Sequence, residues 1–274
     1  MTLKETAKTL EAAGVPDAGF DAAELICRFE NVSRALAMTG DFSSEELFRA
    51  VERRKSGEPL QYILGEWDFM GFTFKVTPDC LIPRFDTEVL CSYLVENLPE
   101  NGRFADLCTG TGCVAVAALK MRNDAYASAV ELYPETIAVA KENAETLGVS
   151  DRLELILADV CTDCLSGEYD IIVSNPPYVT SEEMKDLPRE VKFEPPHALT
   201  DGGDGLSVIR KIAEIYPRHL KEGGSLAIEI GSLQGEALRT IAEENSLTCQ
   251  ILRDTGNRDR VAVLKRKQKT AFTA

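Results

Sequence analysis

No apolar run in this 274-residue chain approaches the ~20 residues that cross a bilayer. The first ten residues are a polar, helix-like stretch and lack the apolar core of a secretory signal. A soluble, cytoplasmic protein with no membrane association is expected. Positive charge is also short: 30 Lys and Arg face 45 Asp and Glu, a net charge of −15. That balance argues against a phosphate backbone as the main partner, so no stable nucleic-acid binding is expected. The densest basic stretches are Arg53-Arg54-Lys55 and residues 265–269, which read as a solvated helix face and a tail. Histidine is almost missing, and neither His197 nor His219 stands at ligand spacing. Cys161 and Cys164 form a single C-x-x-C with no second pair, so no metal site is expected. The eight cysteines, mostly set in apolar stretches (Cys27, Cys91, Cys108, Cys113, Cys249), read as buried free thiols. No internal repeat is present.

What the chain does contain changes character along its length. Residues 1–60 read as helices: Leu3, Ala7 and Leu10 recur at helical spacing up to Gly14. Further helices are expected over 20–29 and 33–38. Ser43 with Glu46 suggests a capping box ahead of Leu47, Ala50 and Val51. Trp67, Phe69, Phe72, Phe74 and Val76 around Gly71 predict a β-hairpin linking two parts. Asp86 or Thr87 is the expected N-cap of a helix over 89–98. From Arg103 onward strands alternate with helices. Strands are expected over 103–107, 125–130, 153–157, 170–174, 225–229, 248–252 and 260–265. Helices are expected over 112–121, 134–147, 206–220 and 233–244. Such alternation means an α/β fold with a mostly parallel sheet covered on both faces.

The fourth of these strands ends in Asn175-Pro176-Pro177-Tyr178. Neither proline donates a backbone hydrogen bond, so the strand must stop. Asn175 precedes a proline and is pushed toward an extended backbone. Its side-chain oxygen and the Pro176 carbonyl can then face one point beyond the strand end, where open α/β sheets bind ligands. Two acceptors suit the two hydrogens of a planar –NH2 group, and Tyr178 can stack on the flat group carrying it. Holding both hydrogens aims the nitrogen lone pair at an electrophile. The plainer reading, a strand end and a rigid turn, does not account for the full Asn-Pro-Pro-Tyr.

A second constellation precedes it. Asp106-Leu107-Cys108-Thr109-Gly110-Thr111-Gly112 sits at the first strand-to-helix turn, where glycines let a ligand approach the backbone. The spacing lacks the full dinucleotide run of glycines. Glu131 ends the second strand, placed to accept from both ribose hydroxyls. Asp159-Val160 ends the third, where an adenine ring would lie against Val160 with the acid near its amino group. A nucleoside along these three strand ends puts its reactive group beside Asn175. S-adenosylmethionine fits, with a sulfonium methyl ready for in-line displacement.

These residues resemble the class I S-adenosylmethionine-dependent methyltransferases. More closely, the chain resembles the PrmC/HemK family, which methylates the glutamine of the Gly-Gly-Gln motif in peptide chain release factors. Its marks are Gln61-Tyr62-Ile63 with Gly65, Leu81-Ile82-Pro83-Arg84, Asp86-Thr87-Glu88, the Gly-rich turn and Val173-Ser174-Asn175-Pro176-Pro177-Tyr178. Glu194-Pro195 with Ala198-Leu199, Gly202-Gly203-Asp204-Gly205-Leu206, Glu229-Ile230-Gly231 and Asp259-Arg260-Val261 complete them. Asn-Pro-Pro-Tyr alone is shared with adenine and guanine amino-methyltransferases, which keeps a nucleic-acid amino-methyltransferase as the alternative.

The resemblance implies a Rossmann-like, seven-stranded methyltransferase domain over 81–274, a helical substrate-recognition domain over 1–60 and a β-hairpin linker over 61–80. It implies that Cys108, Thr109, Gly110, Thr111, Gly112, Glu131 and Val160 contact the cofactor, together with Asp159 and Asn175. Asn175, Pro176, Pro177 and Tyr178 hold the substrate amide as the catalytic group. The expected activity is methyl transfer to the glutamine side-chain nitrogen, by a monomer with release factors as protein substrate. Two positions depart from the family pattern. Cys108 stands where glycine is usual, so a tightened or reshaped turn is expected. Phe85 stands where proline is usual, so a looser cap over the cofactor is expected.

Overall fold

The computed structural model describes residues 1–267. The chain opens with five helices: α1 (Leu3–Ala12), α2 (Ala18–Glu30), α3 (Arg34–Ala37), α4 (Glu45–Lys55) and α5 (Leu60–Leu64). Leu10, Leu25, Ile26, Leu47, Val51 and Leu60 close their own apolar core, which continues through Ile63 and Leu64, past position 60. The capping box lies at α1, where Thr2 and Glu5 bond reciprocally. At α4 the expected Ser43–Glu46 box is replaced by Ser44, whose hydroxyl accepts from Leu47 N–H at 3.1 Å. The Ser44 N–H goes to Glu30 of α2 at 3.1 Å, so a tertiary partner takes the place of the local glutamate.

Arg54 corrects the reading of the basic run as a solvated face. It falls at helical spacing from Leu47, Ala50 and Val51, the face that α4 turns toward α2, and is 3% exposed. Its Nε donates to Asp21 of α2 at 2.6 Å, and its Nη2 pairs with Glu190 far along the chain. Of the second basic stretch, residues 268 and 269 lie outside the described residues.

A hairpin follows, β1 (Glu66–Phe69) and β2 (Phe72–Lys75), with Phe69 opposite Phe72. Its two-residue turn, Met70-Gly71, has φ of 51° and 78°, as a right-twisted hairpin requires. Asn143 then ties the hairpin to the rest. Its amide donates to the Lys75 carbonyl (3.1 Å) and to the Thr111 carbonyl (2.9 Å), and its oxygen accepts from Lys75 N–H (2.8 Å).

The larger part runs α6 (Glu88–Asn97), β3 (Arg103–Leu107), α7 (Cys113–Met121), β4 (Tyr126–Glu131), α8 (Pro134–Thr146), β5 (Leu153–Leu157), β6 (Tyr169–Ser174), α9 (Glu183–Asp186), α10 (Ser207–Ile215), β7 (Leu220–Glu229), α11 (Gly235–Glu244), β8 (Leu247–Arg253) and β9 (Asp259–Arg266). The sheet has seven strands in the order β5-β4-β3-β6-β7-β9-β8. The first five are parallel, and β9 runs antiparallel to both neighbours. Alternation of strand and helix is thus a Rossmann-like α/β sheet, with apolar cores on both faces.

The largest departures from expectation lie at α10 with β7 and at the start of α6. Pro217 cannot continue a helix, so α10 stops at Ile215 and one tight turn over Tyr216–His219 leads into β7 five residues early. Neither Asp86 nor Thr87 caps α6 with its side chain. Asp86 pairs with Arg260 (3.0 Å), and Thr87 accepts from Asn175 (3.2 Å). Among the described residues no helix is long and apolar enough to cross a membrane.

Candidate active site

Strand order reverses between β3 and β6, because chain order runs outward from there in both directions. In such sheets the two loops at that point part and leave a crevice beyond the carboxyl ends. Leu107 and Ser174 end these strands side by side, and the Ser174 hydroxyl donates to the Leu107 carbonyl at 2.8 Å. A cavity of about 310 Å³ opens above them, the size range of small-molecule sites.

The turn after β3 forms one wall. Cys108, Gly110 and Gly112 have φ of 59°, 58° and 78°. Cys108 therefore takes the left-handed backbone that glycine adopts freely. A Cβ on Gly110 would meet nothing within 4 Å, whereas one on Gly112 would sit 3.2 Å from Ala140 of α8. Gly110 thus leaves open space, and Gly112 lets helix pack on turn. Burial pushes the Cys108 thiol up, out of the range of a ready nucleophile.

Glu131 organises this wall. Its Oε1 accepts from Leu132 N–H (2.8 Å) and Tyr133 N–H (3.2 Å), and its Oε2 accepts from Gly110 N–H (3.0 Å). A carboxylate oxygen takes about two donors, so Oε2 has room for one more at the cavity. Asp159, Val160 and Cys161 line the floor, and Asp159 accepts from Cys161 N–H at 2.8 Å. Tyr133 stacks on His197 at 3.8 Å between ring centres, both on the cavity.

Below the turn, Asp106 is buried and accepts from the Thr109 hydroxyl at 2.6 Å. Burial raises its carboxyl from 3.8 to about 7. A raised folded value means the native state binds the proton more tightly than the unfolded chain, so this contribution is full at low pH and is lost as pH rises through about 7. Asp106→Asn, compared with the parent by thermal melting at about pH 5 and about pH 8, is expected to gain relative stability at the higher pH. A difference independent of pH would place the proton elsewhere.

Beyond β6 the backbone carries Asn175 and Pro177 onto the cavity. The Asn175 amide donates to the Thr87 hydroxyl at 3.2 Å, and its oxygen has no hydrogen-bond partner among the described residues. Tyr178 does not line the cavity. Its hydroxyl donates to Glu229 at 3.1 Å, and its carbonyl accepts from Gln234 at 3.0 Å. A Cβ on Gly205 (φ 72°) would lie 2.1 Å from that carbonyl, so only glycine lets the 202–205 turn close on the motif.

The structure therefore gathers Cys108, Thr109, Gly110, Thr111, Glu131, Asp159, Val160, Asn175 and Pro177 around one cavity. Gly112, Pro176 and Tyr178 stand behind its surface. Thr87, Arg84, Tyr133 and His197 also line it, with no role in the cavity foreseen from sequence. Arg84 pairs with the buried Glu194, which also accepts from Ile82 N–H at 3.0 Å. The signal for that pair was the charge of two residues set among prolines, in Pro83-Arg84 and Glu194-Pro195.

A family model described as Methyltransferase small domain matches residues 85–223, and one described as PrmC N-terminal domain matches residues 2–65. Release factor glutamine methyltransferase of Cereibacter sphaeroides is 40% identical over 94% of this chain and 95% of its own length. That of Bacillus subtilis is 37% identical over 88% and 89%. Among solved structures, the hMettl16 catalytic domain shares the fold with a TM-score of 0.63 at 16% identity, covering 93% of this chain and 92% of its own. The site geometry, both family models and the full-length identities agree that the chain belongs to the release factor glutamine methyltransferase family.

Proposed function

We propose that this protein transfers a methyl group from S-adenosylmethionine to the side-chain amide nitrogen of the glutamine in the Gly-Gly-Gln motif of peptide chain release factors. The observation that carries this is the Asn175 amide, pinned through its nitrogen to Thr87 so that its oxygen is left to accept at the cavity. The cavity suits the cofactor. Gly110 leaves open space, the Glu131 Oε2 has an acceptor position to spare, and Val160 offers an apolar surface for a flat ring.

When bound, S-adenosylmethionine supplies a methyl on a positively charged sulfur. Asn175 Oδ1 would take one hydrogen of the glutamine –NH2, turning its lone pair toward that methyl. Held along Gly110, Glu131 and Val160, the cofactor would supply that methyl to the nitrogen, its sulfur keeping the bonding pair. The proton leaves the nitrogen afterwards, so no strong base is needed. In this reading residues 1–60 recognise the protein substrate, 61–80 link, and 81–274 carry the chemistry, in a cytoplasmic monomer.

The alternative substrate, an exocyclic amine of adenine or guanine, suits a net charge of −15 poorly. Incubation with labelled S-adenosylmethionine, a release factor and nucleic acid separates the two. Label is expected in the protein fraction, and label confined to nucleic acid would reverse the assignment.

Glu131→Ala is expected to weaken binding of S-adenosylhomocysteine, measured by calorimetry. Charge-assisted hydrogen bonds contribute roughly 1.5–3 kcal/mol each, so the affinity should fall about tenfold or more. Unchanged affinity would move the ribose contact to another residue.

A further inference from the structure

Three loops at the carboxyl end of the sheet meet at one side-chain amide. Gln234 stands at the start of α11, and its backbone N–H donates to the Gly231 carbonyl at 2.9 Å. The Gly231 N–H donates back to the Gln234 Oε1 at 2.8 Å. Only the oxygen of an amide can accept from an N–H, so the amide is fixed with its nitrogen on the other side. That Nε2 donates to the Tyr178 carbonyl at 3.0 Å and to the Gly205 carbonyl at 3.3 Å. Both of its hydrogens are thereby used. The loops after β6, before α10 and after β7 are joined by this one group.

The Tyr178 end of this clamp leads straight to Asn175. Between the two stand Pro176 and Pro177, whose rings fix φ at about −65°. Asn175 and Pro176 each precede a proline, which restricts their ψ as well. The turn is therefore a stiff arm, and a tilt at Tyr178 is passed on to Asn175 rather than absorbed between them. The Gly205 end is held too. Its N–H donates to Asp201 at 3.0 Å, and the same carboxylate accepts from Gly203 N–H and Ser207 N–H, each at 2.8 Å. The chain beyond Tyr178 runs alongside this segment: Val179 N–H donates to the Leu199 carbonyl (2.8 Å) and Ser181 N–H to the Gly203 carbonyl (2.9 Å). Thr200 and Asp201 line the cavity with Asn175, so the segment that Gln234 ties to Tyr178 is itself part of the wall.

We infer that Gln234 is a positioning residue for methyl transfer: by fixing the Tyr178 carbonyl against the 201–205 turn, it sets where the Asn175 side chain stands in the cavity. This rests on the reading of Asn175 as the acceptor of the substrate amide. Gln234 does not line the cavity and acts through the backbone of the two loops it joins. A misplacement of about 1 Å at a reacting centre costs on the order of 100-fold in rate, so a clamp of this kind matters to turnover before it matters to binding.

The test is a double-mutant cycle on the full chain, with a release factor and S-adenosylmethionine, read by single-turnover rates. Gln234→Met keeps the length of the side chain and removes both donors. It is expected to slow transfer about 10- to 100-fold, with S-adenosylhomocysteine affinity and KM for release factor within about twofold. In the Asn175→Ala background the same change should cost less than about twofold, because the group that Gln234 positions is gone. Transfer by Gln234→Met within about twofold of the parent would overturn the proposal. So would an equal loss in both backgrounds, or a loss of cofactor affinity in step with turnover, since a merely structural contact acts without regard to Asn175. Should Gln234→Met fail to fold, Gln234→Glu, which keeps the shape and lacks the amide hydrogens, completes the same cycle. Asn175→Ala alone tests the reading beneath. If it is inactive while Gln234→Met keeps full turnover, only the role of Gln234 fails. If it keeps full turnover, the acceptor reading fails and this inference falls with it.

Discussion

Asn175→Ala is expected to reduce methyl transfer to a release factor by about 100- to 1000-fold while leaving S-adenosylhomocysteine affinity within a few-fold of the parent. An amide nitrogen is a poor nucleophile because its lone pair is delocalised. The protein's means of raising its reactivity are orientation and a preset electrostatic environment, and Asn175 provides both from a strand end that cannot shift. Behind it lie the Ser174–Leu107 bond and the Thr87 contact, so the side chain is held before any substrate arrives. Alanine keeps the backbone and removes the acceptor. The Glu131 side of the cavity is built from other strands, so binding should persist. Single-turnover rates together with calorimetry make the measurement. Turnover within about fivefold of the parent would sink the role assigned to Asn175.

The second large effect is one of stability. Arg54→Ala is expected to lower the melting temperature by on the order of 10 °C, from a loss of roughly 3–5 kcal/mol. Arg54 joins three parts of the chain: Asp21 of α2, the Glu58 carbonyl after α4, and Glu190 in the segment after the Asn-Pro-Pro-Tyr turn. Asp21 is 4% exposed, and its burial already holds its carboxyl above the ordinary value. Without Arg54 it must stay charged and unpaired, or take up a proton. Glu190 lies closer to solvent and contributes less, so Glu190→Ala should cost about 1 kcal/mol or less. A melting temperature for Arg54→Ala within about 2 °C of the parent would show that the pair is not needed.

Much of the site was legible because its residues follow strand ends. Glu131 and Asn175 each close an apolar run, and their neighbours in sequence are their neighbours in space. The seven strands were legible for the same reason. Partnerships that cross the chain were not: Asn175 meets Thr87 over 88 positions, Tyr178 meets Glu229 over 51, and Arg84 meets Glu194 over 110. No local pattern encodes such meetings, so Thr87 read as a helix cap and Tyr178 as a stacking ring. Arg54 was hidden by a different fault. Three basic residues in a row suggest water, yet helical spacing from Leu47 and Val51 already pointed its side chain inward.

The position of β9 has a consequence for the order in which the protein matures. It is synthesised after β8, yet it lies between β7 and β8. While the ribosome is still making residues 259–266, β7 has a bare edge and α11 and β8 have no seat. Bare edges of this kind invite pairing with other chains. The same late strand carries Arg260, which supplies the positive charge beside Glu229 and holds Asp86 near Thr87. A nascent chain can therefore bury most of its parallel sheet and its cavity floor during elongation, but the Arg260–Asp86 pair forms only when β9 slides in. The sheet edge at β7 is therefore sealed only once β9 has left the ribosome.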